Sequence, residues 1–362
     1  MNKKLLTLAI GAALGAAPMF ANAAATVYGE GHLSIDMVDD GQAINSSLMT
    51  LSSNSSFLGF KAEEDLGGGM KALAGLEWQI ALDSANTNGS GTSCTAFPCS
   101  DTGIANRNVF VGLQGGFGTV RLGNYDDIVK NVGRKVDMFY SVQMGENRVL
   151  VSANSMDARL ANSIRYDSPK LGPVTITAQY GLANNANEST GSNLTALAVG
   201  AQMNMGGLYV GAAYKSRDVD AGTTTDSTTG MRLTAAYTMG ALKVAGLYQT
   251  FEDDVNGIDT SAMGVGASFK IGNGLIKGHY YIADESASGA ENGATLMAFG
   301  YDHNLSKTTM VYAVYAMVDN DTNAAYSVLG GGGHANPSDS TGYNPVSNDS
   351  NGGLSFGMKV KF

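Results

Sequence analysis

The last seven residues of the chain, FGMKVKF at 356–362, alternate strictly between large apolar side chains and small or basic ones. Successive side chains of a β-strand point to opposite faces, so this period of two predicts a strand with one apolar and one polar face. The apolar members are Phe356, Met358, Val360 and Phe362.

The same alternation recurs along the chain and divides it into sixteen predicted strands. Seven short connections, rich in Gly, Asn and Pro, alternate with eight long ones. An even strand number with short turns at one end and long loops at the other is typical of a transmembrane antiparallel β-barrel. We therefore predict an all-β fold, with periplasmic turns and extracellular loops. The predicted strands are 25–38, 55–65, 70–83, 106–114, 118–125, 159–167, 173–183, 194–203, 207–216, 230–239, 241–251, 261–271, 274–284, 293–303, 308–319 and 353–362.

A soluble β-sandwich and a β-solenoid are the alternative folds. A sandwich needs a large apolar core, whereas here the second face of strand after strand is polar and 48 glycines are spread along the chain. No short repeat of fixed length supports a solenoid. Tyrosines and phenylalanines near the strand ends, including Tyr28, Tyr209 and Tyr312, suggest an aromatic girdle at the lipid headgroups.

The N-terminus predicts export. Lys3 and Lys4 precede a short apolar run that ends in Ala21-Asn22-Ala23, the pattern of a secretory signal peptide. We predict a signal peptide over 1–23 and a single barrel domain over 24–362. Cys94 and Cys99, the only cysteines, suit a loop disulfide in an exported protein. The net charge of −10 argues against nucleic acid as a partner.

Several segments resemble the trimeric general porins of Gram-negative bacteria. The resemblance covers essentially the whole mature chain, and its main carriers are SNSSFLGFKAEEDL at 53–66, NRNVFVGLQGGFGTVRLG at 106–123, NSIRYDSPKLGPVTITAQY at 162–180 and NLSKTTMVYAVYAMVDN at 304–320. It implies a cell outer-membrane homotrimer of sixteen-stranded barrels, each with its third loop folded into the lumen. It also implies that the terminal Phe362 strand is the signal for the outer-membrane assembly machinery.

The chain departs from the family pattern at three positions. Phe57 and Asn124 stand where the family often has arginine, and Val360 stands where it usually has histidine. The loss of two basic residues argues against strong anion selectivity.

A passive pore needs no catalytic residue and no cofactor, because its chemistry is a narrow, charged and hydrated constriction. The long connection at 126–158 is the candidate inward loop, and an ordinary surface loop is the alternative. It carries five acids and four bases, which nearly balance. The acidic residues predicted at the constriction are Asp126, Asp127, Asp137 and Glu146 on the loop, and Glu77 and Asp36 on the wall.

Strand parity places the basic side chains. Val120 and Leu122 face lipid, so Arg121 between them faces the lumen. Arg107 shares parity with the outward Val109, which would place it outward. The resemblance implies a pore-side arginine there, which a β-bulge or a rim position would allow. The predicted basic wall comprises Arg121, Arg165, Arg159, Lys61, Lys71 and Arg107. For each of these charges, a wall salt bridge without a transport role is the alternative.

The last four long loops and their borders hold fourteen acids against one base, Arg217. One explanation is that these acids only keep the exposed loops hydrated. The other is a negative vestibule that attracts cations, takes up divalent ions weakly and contacts lipopolysaccharide in the surrounding lipid. We therefore predict a pore for small hydrophilic solutes and ions that is weakly cation-selective or near-neutral.

Two other functions compete with this one. An outer-membrane enzyme would need a nucleophile or acid beside a histidine, and the four histidines, His32, His279, His303 and His334, lie in no such motif. A substrate-specific channel, for sugars for example, would need aromatic side chains along the lumen, and few are expected there. An adhesin or phage-receptor role would be secondary to either.

Overall fold

The computed structural model describes residues 24–39, 48–83, 104–140, 142–152, 156–182, 195–220, 225–254, 256–287, 290–329 and 349–362. The predicted signal peptide and the predicted disulfide between Cys94 and Cys99 lie outside these ranges. Within them, no helix is both long enough and apolar enough to cross a membrane.

Antiparallel β-strands make up most of the regular structure. Their bounds are β1 (Ala24–Asp39), β2 (Leu48–Ser53), β3 (Phe57–Gly67), β4 (Met70–Ile80), β5 (Ile104–Gly115), β6 (Gly118–Asp126), β7 (Arg159–Asp167), β8 (Val174–Gly181), β9 (Ala196–Met205), β10 (Leu208–Asp220), β11 (Thr225–Met239), β12 (Leu242–Asp253), β13 (Ile258–Ile271), β14 (Gly274–Ala283), β15 (Ala294–Asn304), β16 (Thr309–Asn320) and β17 (Ser350–Lys361). Two short helices, α1 (Ile128–Arg134) and α2 (Arg148–Val151), lie between β6 and β7.

The sheet closes on itself between its first and last strands. Ile35 of β1 pairs with Phe356 of β17, and Val27 of β1 pairs with Phe60 of β3 on the other side. The backbone groups of Phe362 exchange hydrogen bonds of 3.0 and 3.1 Å with those of Gly29. Because β2 and β3 pair with successive parts of β1, they form one broken barrel strand. The sixteen-stranded closed barrel predicted from the sequence is confirmed.

The break between β2 and β3 corrects one predicted boundary. The sequence prediction placed 39–54 in a loop, but Leu48–Ser53 is a strand paired with β1. Its inward side chain Ser52 is buried, Ser53 at the end of the strand is buried as well, and the chain kinks at Ser55, whose φ is +53°. The strand was not predicted because it is short and its inward residues, Thr50 and Ser52, are of types that are also common in loops.

The predicted alternation of side chains holds in β1. His32 and Asp36 are completely buried inside the barrel, whereas Ile35 and Met37 expose 47% and 39% of their surface outside it. The aromatic assignments need three corrections, because Tyr28, Tyr209 and Tyr312 point inwards. Their partners there are Glu77, Gln202 and His32 respectively.

The segment between β6 and β7 lies inside the barrel, which confirms the predicted inward loop. Helix α1 contacts β9, β10 and β11, and α2 contacts β14 and β15. Ile128, Val129 and Val132 of α1 are fully buried. Asp127 caps α1, since its Oδ1 accepts the Lys130 amide at 2.8 Å. The loop therefore covers one half of the lumen and leaves the half lined by β1 and β3–β7 open.

Candidate pore constriction

A cavity of about 520 Å³ lies between the inward loop and the open half of the barrel wall. Its wall side comes from β1, β3–β7 and β17, and its loop side from the segment between Lys130 and Arg148. Six basic side chains and three carboxylates line it. The basic residues are Arg107, Lys130, Arg134, Arg148, Arg159 and Lys361, and the acidic residues are Glu30, Glu77 and Asp126.

Asp126 is the centre of the basic group. Its carboxylate lies 2.9 Å from Lys130 Nζ, 2.7 Å from an Arg134 nitrogen and 3.0 Å from Arg159 Nε. One carboxylate therefore serves three cations, and two positive charges remain without a matching acid in this group. Burial lowers the pKa of Lys130, and the charges of Arg134 and Arg159 act in the same direction. The charge of Asp126 opposes them, and the resulting pKa is about 8.

Arg107 reaches the cavity because the register of β5 shifts. Leu76 pairs with Val109, but Trp78 pairs with Asn106, so β5 carries one extra residue at this point. The bulge turns Arg107 inwards. Of the two alternatives given by the sequence, a bulge and a rim position, the structure shows the bulge. Its Nε donates to Glu77, and its guanidinium lies 4.7 Å from the centre of the Phe57 ring.

The other basic residues proposed from the sequence lie elsewhere on the lumen wall. Arg121 and Arg165 both pair with Asp167, and each lies over the Tyr125 ring. Neither lines the cavity. Lys61 sits 5.8 Å from the centre of the Tyr28 ring.

Lys71 is exposed beside a short turn and pairs with Glu63, away from the constriction. The structure therefore places only Arg107 and Arg159 of the proposed basic wall at the cavity.

Four of the proposed acids are buried and do not line the cavity. Asp127 pairs with Lys215 at 2.7 Å in addition to capping α1. Asp137 accepts backbone N–H groups of Phe139 and Asn147. Glu146 and Asp36 are also buried, the first against Arg148 and the second within β1. Position in the loop predicted Asp127, Asp137 and Glu146 at the pore, but packing of the loop buries them away from the cavity. Asp36 is inside the barrel, as its parity predicted, but it does not line the cavity either.

Burial raises the pKa of Asp137 to about 7, and the nearby charge of Glu146 acts in the same direction. Two backbone hydrogen bonds and Lys277 oppose this shift only in part. A carboxyl group in this position is close to half-protonated at neutral pH.

Residues outside the proposed set hold the loop in place. Arg232 of β11 is fully buried and bonds to both helices of the loop, and His279 of β14 contacts the carbonyl of Gly145 at 2.8 Å. Arg232 lies between Met231 and Leu233, which face outwards, so parity alone could have identified it. Phe57 and Tyr140 are further cavity residues that charge-based reasoning passed over.

The C-terminal strand keeps the placement that its alternation predicted. Phe356, Met358 and Val360 are exposed on the outer surface, and Phe362 ends the strand beside Gly29. This geometry presents an apolar ridge to the lipid at the seam where the barrel closes.

The family model of the Gram-negative porins matches residues 9–323. The chain belongs to the Gram-negative porin family. Outer membrane porin protein 32 of Delftia acidovorans is 31% identical over 88% of this chain and 90% of that protein. Major outer membrane protein P.IB of Neisseria meningitidis is 27% identical over 92% of this chain and 98% of its own length.

Solved porin structures share the fold. An anion-selective porin from Comamonas acidovorans superimposes with a TM-score of 0.78 at 24% identity, covering 94% of this chain and all of that one. OmpT of Vibrio cholerae, in a trimer form, gives a TM-score of 0.64 at 20% identity over 94% of this chain and 99% of its own. With its outer-membrane relatives and its apolar outer surface, this porin is a protein of the bacterial outer membrane.

Proposed function

We propose that this porin forms a water-filled channel for passive diffusion of small hydrophilic solutes and that the channel favours anions over cations. The observation that carries the proposal is the excess of three basic side chains over carboxylates at the cavity. A charge in a narrow lumen acts at short range on every passing ion, whereas charges on outer loops are screened beyond about 8–10 Å at physiological salt.

The sequence prediction of weak cation preference or near-neutrality rested on acidic outer loops and a nearly balanced inward loop. Inside the barrel, however, four of the five loop acids are buried away from the cavity, namely Asp127, Asp137, Glu146 and Asp157. Lys130, Arg134 and Arg148 line it. The loop charges that line the cavity are therefore mostly basic and favour anions, although the net charge of the whole loop is close to zero. The Comamonas porin described as anion-selective agrees with this sign.

The proposal extends to assembly. We propose a homotrimer, as in the trimer form of OmpT, with outer-membrane lipid and lipopolysaccharide around it. The exposed apolar ridge of β17, ending at Phe362, supports a role as the signal to the assembly machinery.

Reversal potentials across planar bilayers in a KCl gradient test the sign of selectivity. We expect a chloride-to-potassium permeability ratio above one for the native porin and a lower ratio for Arg134→Gln. Lys71→Gln is the matched control, because it also removes one positive charge but at the exposed turn outside the cavity. A native ratio below one would refute anion preference. Equal shifts in both variants would place the selectivity outside the cavity.

A further inference from the structure

Two pairs of an aromatic ring and a guanidinium line the cavity. On the barrel wall, the Arg107 guanidinium lies 4.7 Å from the centre of the Phe57 ring. On the inward loop, the Arg134 guanidinium lies 5.4 Å from the centre of the Tyr140 ring. The constriction therefore combines positive charge with flat apolar surface on both of its sides.

Both pairs are held by their neighbours. Tyr28 packs its ring edge against Phe57 with centres 6.0 Å apart and donates its hydroxyl to Glu77, which also accepts from Arg107. Arg134 is tied to Asp126 at 2.7 Å. The tyrosine on the loop is nevertheless 47% exposed, so its ring remains accessible from the lumen.

This pairing of groups suits a particular kind of anion. Guanidinium planes stack on aromatic rings and bind carboxylates through two parallel hydrogen bonds. Aromatic side chains also prefer edge-to-face or offset contacts with other rings. A benzoate-sized anion fits a cavity of about 520 Å³ with room for its water. Its carboxylate would meet an excess of basic side chains there, and its ring would contact the aromatic rings of the cavity.

We propose that the constriction binds aromatic carboxylates of the benzoate class more tightly than aliphatic carboxylates of equal charge and similar size. The site is formed by Phe57 and Arg107 on the wall, and by Tyr140 and Arg134 on the loop. This inference rests on the proposed anion preference, because the carboxylate must first be admitted. It assigns a role to Phe57, at a position where the resembling porins often carry arginine.

The test compares benzoate with cyclohexanecarboxylate, which has the same charge and a six-membered ring without aromatic character. Each anion is titrated against the single-channel chloride current of the native porin, and the concentration that halves the current is measured. We expect benzoate to act at a concentration lower by roughly threefold to tenfold, the range of aromatic contact energies. Equal concentrations for the two anions would overturn the inference.

Variants locate the site. Phe57→Leu and Tyr140→Leu keep an apolar side chain but remove a ring, and each should lower the benzoate advantage towards one. Phe60→Leu is the matched control, because it removes a ring from the lipid-facing side of the same strand. An unchanged advantage in both lumen variants would overturn the assignment. The native comparison decides the matter alone if a variant does not fold.

The KCl reversal potential separates this inference from the proposed function. A native channel that prefers chloride but does not distinguish benzoate from cyclohexanecarboxylate retains the function and loses the inference. A channel that prefers potassium loses both.

Discussion

Arg232 of the barrel wall and Asp157 of the inward loop form a buried ion pair with two contacts, of 2.9 and 3.1 Å. The same guanidinium donates to the carbonyl oxygens of Val129 and Val151, one in each loop helix. Burial alone would raise the pKa of Asp157, but the Arg232 charge outweighs it and holds the pKa below its usual range. One wall side chain thus fixes the loop at several points.

Replacing Arg232 with methionine should release the loop. The substitution keeps an unbranched side chain but removes every hydrogen bond and leaves Asp157 buried without its cation, which costs about 3–5 kcal/mol. We expect a lower midpoint of thermal unfolding in detergent and a larger, noisier single-channel conductance. An unchanged conductance would mean that other contacts suffice to hold the loop.

The double variant Arg232→Met/Asp157→Leu is the control for charge burial. Replacing both members of a buried pair with apolar residues is often neutral or stabilising. The double variant should therefore unfold at a higher temperature than Arg232→Met alone. If the two unfold at the same temperature, the stabilisation comes from the bonds to Val129 and Val151 and not from the ion pair.

The barrel and its lumen wall were predictable because a β-sheet imposes a period of two that apolar and polar residues reveal directly. That rule placed His32 and Arg121 inside and Ile35 outside. The prediction was incomplete where the rule does not apply. At the bulge that turns Arg107 inwards, the sequence left two placements open, and in β2 the short strand was not recognised.

The constriction itself was less predictable, because tertiary packing decides which loop charges face the pore. Asp137 and Arg134 lie three residues apart in one loop, yet the first is buried behind it and the second lines the cavity. No local pattern distinguishes them. The residues that decide the outcome, such as Arg232, are about 75–105 positions away along the chain.

Removing one wall carboxylate from the cavity should strengthen anion preference. Glu77→Gln keeps an oxygen that can accept from Arg107 and takes away one negative charge from the lining. We expect the chloride-to-potassium permeability ratio to rise roughly twofold, as short-range Coulomb energies in a narrow lumen allow. Glu63→Gln is the control, since Glu63 is exposed beside Lys71 at a turn. A rise of the same size in both variants would contradict a selective role for the cavity.

Anion preference should also decrease as the pH rises from 6 to 7.5. Because the pKa of Asp137 is raised to about 7, the folded loop favours the protonated form, and its attachment weakens as pH rises through that value. Ionisation also adds a negative charge behind the cavity. Lys130, with a pKa of about 8, stays mostly charged in this window.

The groups that face Asp137 are Glu146 on the loop and Lys243, Lys277, His279 and Tyr281 on the wall.

Asp137→Asn is the variant that checks this assignment. It stays neutral at every pH and keeps one oxygen to accept the Phe139 amide. The permeability ratio of the variant, from reversal potentials, should decline much less between pH 6 and 7.5 than that of the native porin. If it declines as steeply as in the native porin, another group titrates.

The tip of the inward loop depends on a glycine that fits tightly against the wall. Gly145 has a φ of +71°, and an added Cβ would lie 2.5 Å from the Cβ of Ala316 and 3.0 Å from that of Ala298. Gly145→Ala should cost about 1–3 kcal/mol in backbone strain and a similar amount in overlap, and so displace the loop tip. Gly206→Ala is the control, because its φ is +59° but nothing lies within 4 Å of an added Cβ. We expect only Gly145→Ala to change single-channel conductance, and both to lower the midpoint of thermal unfolding. Identical conductance in the two variants would show that the loop tip tolerates the displacement.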